Sequence, residues 1–135
     1  MVDNNSSDET PDLVRSRFPT IEVFRLTHNQ GAAARNVGVA ALDQPYLALC
    51  DDDVWWDAGS LRRGADLMDA HDRLAVIAAT VLVGEREAVD PTCLKMAASP
   101  LPPAPDLPGR PILGFLAGAS LVRRRAFRAT FLPGW

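Results

Sequence analysis

Little in this 135-residue chain supports cross-linking, nucleic-acid binding or membrane insertion. Cysteine occurs twice, at Cys50 and Cys93, which fits neither a disulfide framework nor the paired spacing of a zinc site. Both read as buried or idle thiols in a reducing compartment. Basic residues are outnumbered, with 14 Lys and Arg against 17 Asp and Glu and a net charge of −3, so the clustered basic surface of a nucleic-acid binder is not expected. The longest apolar runs, Leu74–Val83 and Leu113–Val122, are each about half of what a bilayer-spanning helix needs. The N-terminus is polar and acidic, unlike a secretory signal. A cytoplasmic, non-membrane-spanning protein is therefore expected. What is present is globular in character: 47% hydrophobic and 23% charged residues, enough for one domain with a real core.

Patterning along the chain predicts alternating strands and helices. Thr10 with Pro11 predicts a helix start, the hydroxyl as N-cap and the proline in the first turn, and Pro19 ends that helix. Ile21–Leu26 is β-rich. Ala33, Val37, Ala40 and Ala41 fall at helical spacing within Gly31–Leu42. Tyr46–Cys50 suits a buried strand. Asp57–His71 predicts a helix capped by Asp57, with Leu61, Ala65 and Met68 facing inward. Leu74–Val83 is a further strand candidate. The alternation predicts βαβ units on a mostly parallel sheet. Six prolines between Pro100 and Pro111 predict an extended surface loop. A strand over Gly114–Val122 and a helix over Arg123–Ala129 follow. No internal repeat is visible.

The polar clusters fall at informative places. Asp3 to Asp8 precede the first helix, Thr27, His28 and Asn29 follow one predicted strand, and Asp51, Asp52 and Asp53 follow the next. In a parallel sheet such clusters share the carboxyl edge, where open α/β sheets bind ligands. Carboxylates at i and i+2 on a strand exit can divide their work, one holding a ribose hydroxyl and the other Mg²⁺ or Mn²⁺, which take oxygen ligands and keep several from phosphate and water. Such a metal neutralises charge on a departing nucleoside diphosphate. Local alternatives stand beside these readings. The aspartates also suit an acidic turn with Asp53 or Asp57 capping the next helix. Asp3, Asn4 and Asn5 suit a plain turn, and Arg35 a solvated helix position. His28 reads as a loop residue, and His71 as one near its helix C-terminus. Trp55 and Trp56 divide between core and site rim. Arg123, Arg124, Arg125 and Arg128 read as a solvated face from which one arginine could reach a phosphate.

Four segments resemble, in order and spacing, the motifs of family 2 glycosyltransferases of the GT-A fold. VDNNSSDET at residues 2–10, HNQGAAARNVG at 28–38 and LALCDDDVWW at 47–56 resemble the nucleotide-binding motifs. GFLAGASLVRRRAF at 114–127 is similar to the segment that precedes the acceptor-side motif. The resemblance implies a GT-A, Rossmann-like α/β domain with a mostly parallel sheet flanked by helices. Residues 1–84 would form the nucleotide-sugar-binding half, 85–113 a Pro-rich loop and 114–135 the start of the acceptor-side half. Asp3 matches the aspartate that hydrogen-bonds the donor base, and Arg35 the arginine beside base and diphosphate. Asp51 and Asp53 match the outer residues of the DxD motif, implying ribose contact and metal coordination, with Asp52 left open as the true ligand. Asn5 and Asn29 join the donor-binding set, and Gly31 and Gly38 shape the helix between them.

The same resemblance implies sugar transfer from a nucleoside-diphosphate donor to an acceptor hydroxyl on a glycan, lipid or other compound. Transfer would be metal-assisted by Mg²⁺ or Mn²⁺, with inversion. Two family features are missing. The family's first strand, which lies between two strands kept here, has no counterpart, so a gap or open edges are expected in the sheet. No acidic general base follows Arg128, where the chain runs Ala129 to Trp135, so truncation at both ends and weak or absent transfer are expected. The alternative is a non-catalytic nucleotide-binding remnant. A nucleotidyltransferase would carry a glycine-rich basic loop near the start, and none is seen.

Overall fold

The structure is a computed structural model and describes residues 1–130. These form two compact units, Met1–Gln44 and Pro45–Thr130.

The first unit holds β1 (Val2–Asp3), α1 (Thr10–Arg17), β2 (Phe24–Arg25), a 3₁₀ turn (Gly31–Ala33) and α2 (Ala34–Ala41). β1 and β2 pair in parallel, Val2 opposite Phe24 and Asp3 opposite Arg25. The sequence places the cap of α1 on Thr10, but Glu9 occupies that position without a side-chain bond. Thr10 lies inside the first turn, and its N–H donates to Asp8 Oδ1 at 3.0 Å. Asp8 sits two residues upstream and captures the orphan amide first, an Asx-type bond. The Thr10 hydroxyl first, and this N–H with it, hold the Asp8 carboxyl below its ordinary value. At α2, Gly31 turns the chain with φ 55°, and a Cβ on Gly38 would stand 3.1 Å from Val2 Cγ2, so this helix packs closely on β1.

The second unit holds β3 (Tyr46–Cys50), α3 (Ser60–Ala70), β4 (Val76–Ala78), β5 (Leu82–Val83), β6 (Ala88–Val89), α4 (Pro91–Ala97), β7 (Ala119–Arg123) and α5 (Arg124–Thr130). Its main sheet has the order β3-β7-β4, with β7 antiparallel to both neighbours. A mostly parallel sheet is thus corrected: among the described residues the parallel ladder is β1-β2, while β7 returns in the opposite sense between β3 and β4. β3 has β7 as its ladder neighbour and β1 has β2, leaving one edge of each without a strand among the described residues.

The predicted strand Leu74–Val83 is also divided. β4 ends at Ala78, and Leu82–Val83 pairs instead with Ala88–Val89 across a turn where Gly84 and Glu87 have φ 71° and 49°. Segment 85–113 is not all loop. Asp90 caps α4 by accepting the Thr92 N–H at 2.6 Å, with Pro91 in the first turn. Asp57 does not cap α3; Gly59, at φ 79°, takes that position because its left-handed backbone turns the chain into the helix. The inward stripe shifts by one turn position as well: Met68 and Gly64 are buried whereas Leu61 is 40% exposed. The core of this unit is built from Leu47, Met68, Ala119, Leu121, Val122 and Phe127. Among the described residues no helix is long and apolar enough to cross a membrane.

Candidate functional site

In the first unit the two short strands bring two of the polar clusters together. Parallel pairing places the exits of β1 and β2 side by side, and Asn4 ties them. Its Nδ2 donates to Asn29 Oδ1 at 3.0 Å and to the Gly31 carbonyl at 3.1 Å, while its Oδ1 accepts the Gln30 N–H at 2.8 Å. Asn29 Oδ1 accepts the Gly31 N–H at 2.7 Å as well, so this side chain buttresses the turn into α2. The sequence suggests for Asn4 no more than a place in a turn beside Asp3 and Asn5. Its fit to a strand-to-strand bridge depends on the β1-β2 pairing, which no local pattern reveals.

Asp3 is the chemically distinctive residue of this unit. It is 2% exposed, at the end of β1. Oδ1 accepts the Ser6 N–H at 3.2 Å; Oδ2 is approached by Arg25 Nε at 3.5 Å but accepts no hydrogen bond. Oδ2 is thus held by its ion pair with Arg25 and lacks a hydrogen bond, the kind of buried polar atom that calls for an explanation. Asn5, next along, adopts φ 68° and is exposed, a conformation asparagine tolerates better than most residues. Arg35 stands in the first turn of α2, half-buried. His28 is exposed in the loop after β2, with Nδ1 3.3 Å from Thr27 Oγ1.

In the second unit Asp51, Asp52 and Asp53 leave β3 in an exposed turn. The turn is closed by the Val54 N–H donating to the Asp51 carbonyl at 3.3 Å and by Cys50 Sγ donating to the Val54 carbonyl at 2.9 Å. Cys50 is exposed as a residue, but partial burial of its thiol raises it above its ordinary value, and the nearby charges of Asp51 and Asp53 raise it further. This field of negative charge is one a cation would relieve. Trp55 follows and is 86% exposed; Trp56 is half-buried, and its Nε1 has no hydrogen-bond partner.

The donor set suits a divalent cation of the hard, oxygen-seeking kind. Among the described residues no three His, Cys, Asp or Glu side chains are gathered to enclose an ion. A cation held by Asp53 or Asp52 would therefore take its other ligands from phosphate and water, the usual habit of Mg²⁺. Of the arginines expected on a solvated face, Arg123 is instead 9% exposed, with its guanidinium on backbone carbonyls. Within the last described helix the side chain of Arg128 lies outside the described residues, as do residues 131–135.

Comparison with known proteins gives one family. The model described as Glycosyl transferase family 2 matches residues 1–131. No curated protein and no solved structure gives a match.

Proposed function

Because the chain belongs to glycosyl transferase family 2, we propose that it binds a nucleoside-diphosphate sugar and serves its transfer, with inversion, to an acceptor hydroxyl on a glycan, lipid or similar compound. The observation that carries this reading is the buried Asp3 carboxylate at the end of a parallel strand, one oxygen of which has an ion pair with Arg25 but no hydrogen bond. Such an oxygen accepts an N–H from a nucleobase, and a charged acceptor strengthens that bond. Asn5 and Asn29 stand on the same strand exits and join the donor-binding set. Arg35 offsets diphosphate charge from the first turn of α2, where the helix dipole adds to it.

In the second unit Asp51 takes a ribose hydroxyl, and Asp53, or Asp52 in its place, holds Mg²⁺ or Mn²⁺. The cation supplies neutralisation of the charge that builds up on the leaving diphosphate. No side chain is assigned as general base, so donor binding is the part of the reaction these residues carry.

Titration of the purified chain with UDP and GDP, with and without Mn²⁺, tests this. Metal-dependent binding is expected. Asp3→Asn, which keeps the shape and removes the charge, should weaken it about tenfold, equivalent to one charge-assisted hydrogen bond. Asp53→Asn should erase the metal-dependent part. Nucleotide affinity unchanged in Asp3→Asn would overturn the assignment of Asp3. Metal-dependent binding with no donor hydrolysis or transfer would favour the non-catalytic nucleotide-binding reading over the enzyme.

A further inference from the structure

The register of β3 on β7 has a consequence at the aspartate turn. Cys50 stands opposite Ala119, the last pair of the ladder. One step further along the same antiparallel path, Asp51 faces Gly118. Directly opposed residues in an antiparallel pair share one side of the sheet, with Cβ atoms normally about 4.5–5.5 Å apart. Here a Cβ built on Gly118 would stand 3.0 Å from Asp51 Cβ and closer still to the Asp51 carboxylate. The carboxylate therefore lies folded over the backbone of residue 118, in space that every other amino acid would fill. Gly118 itself is buried and has no positive φ, so no conformational need of the backbone accounts for glycine there.

We propose that Gly118 is a positioning residue for Asp51: it leaves room for the carboxylate to lie back across the β3-β7 edge, in the orientation that meets the donor. The backbone of Asp51 is fixed by β3 on one side and by the Val54 N–H bond to its carbonyl on the other. A methyl group at 118 thus displaces the carboxylate first, since its atoms come closest, and asks only a slight shift of the Asp51 Cβ at 3.0 Å. This inference rests on the reading of Asp51 as a donor-binding residue.

The test is a double-mutant cycle on the full chain, with Gly118→Ala, Asp51→Ala and the pair, read by UDP and GDP affinity in Mn²⁺ and by thermal unfolding. Gly118→Ala is expected to weaken nucleotide binding about tenfold while the protein stays folded, a loss the size of one hydrogen bond. In the Asp51→Ala background the same change is expected to leave affinity as it is. If Gly118→Ala does not fold, the pair is expected to fold, because the two carboxylate atoms nearest the new methyl are gone and the remaining 3.0 Å contact with the Cβ of residue 51 asks for only a slight shift; failure of the pair too would mean that the glycine serves the close approach of β7 and not the Asp51 carboxylate. Equal loss in both backgrounds, or wild-type affinity in Gly118→Ala beside weak binding in Asp51→Ala, would overturn the positioning role and leave the donor reading intact. Wild-type affinity in Asp51→Ala, or no nucleotide binding by the unaltered chain, would remove the donor reading and this inference with it.

Discussion

Arg123 occupies a place that arginine seldom takes, 9% exposed at the end of β7. Its Nη2 donates to the Met68 carbonyl at 2.6 Å and the His71 carbonyl at 3.1 Å, and its Nε to the Leu74 carbonyl at 3.0 Å. These carbonyls belong to the last turn of α3 and the chain just beyond it, where a helix has acceptors without partners and a partial negative charge. The guanidinium also lies over the Tyr46 ring at 5.2 Å from its centroid. Tyr46 in turn donates to Asp69 at 2.6 Å, a bond that raises the phenol above its ordinary value. Arg123 is thus the C-terminal cap of α3, supplied from another element. Arg123→Met should lower stability by about 3 kcal/mol in urea unfolding, since several buried acceptors lose a charged donor at once. Arg125→Met serves as the control. Arg125 bonds the exposed Asp72 at 2.5 Å and lies in solvent, so its loss should scarcely move the midpoint. Equal midpoints for the two variants would sink the capping role. In the sequence, Arg123 was indistinguishable from its neighbours Arg124 and Arg125. What separates it is strand alternation: β7 runs to residue 123, so Arg123 shares a face with Leu121 beneath α3, and the boundary between β7 and α5 decides which arginine goes inside.

Elements were legible where a period could be read and illegible where a single residue set the geometry. β3 was predicted over the residues it occupies, because an apolar run between Pro45 and three aspartates leaves little choice, but it was expected to be buried and only Leu47 of its five residues is. α3 was predicted as a helix, yet its buried stripe was assigned to Leu61, Ala65 and Met68, whereas Gly64 and Met68 face the sheet. Glycine carries no hydrophobic weight in a pattern, so the closest point of contact was invisible. A Cβ on Gly64 would come 2.7 Å from Leu121 Cδ2, and Leu121 is 5% exposed with nowhere to retreat. Gly64→Ala sets two effects against each other: helix propensity favours alanine by about 1 kcal/mol, and overpacking a filled contact costs about 1–3 kcal/mol. The second should win. A net loss of about 1 kcal/mol in denaturant unfolding is expected, and a stabilised Gly64→Ala would show that α3 is free to lift away from β7. The division of Leu74–Val83 was illegible for a different reason. Continuous apolar character says that a segment suits pairing but not with which partner, and Leu82–Val83 takes Ala88–Val89 because the intervening turn tolerates positive φ.

At the scale of the whole molecule the order of the motifs was legible, and with it the family, while the pairing of the strands was not. β7 comes from far along the chain to lie between β3 and β4, and no local signal encodes that insertion. β3 is an edge strand among the described residues. Its sequence, Tyr-Leu-Ala-Leu-Cys, lacks the lysine, proline or bulge by which natural edge strands discourage pairing with another chain. Exposed apolar side chains add to the liability: Leu82 and Val83 on the β5-β6 hairpin are each 52% exposed, and Leu94 on α4 is 59% exposed. The chain should therefore self-associate in a concentration-dependent way, visible as a rising weight-average sedimentation coefficient. Ala48, exposed in the middle of β3, is the place to test which feature drives it. Ala48→Lys puts a charge on the open edge at a site with room for it, and should suppress association while leaving the unfolding midpoint near that of the parent. Leu82→Lys on the hairpin is the contrasting change. If Leu82→Lys suppresses association and Ala48→Lys does not, apolar surface rather than unpaired backbone is the cause. The edge of β3 would then already be protected, because a strand that does not recruit a second chain in solution has its N–H and C=O groups satisfied elsewhere.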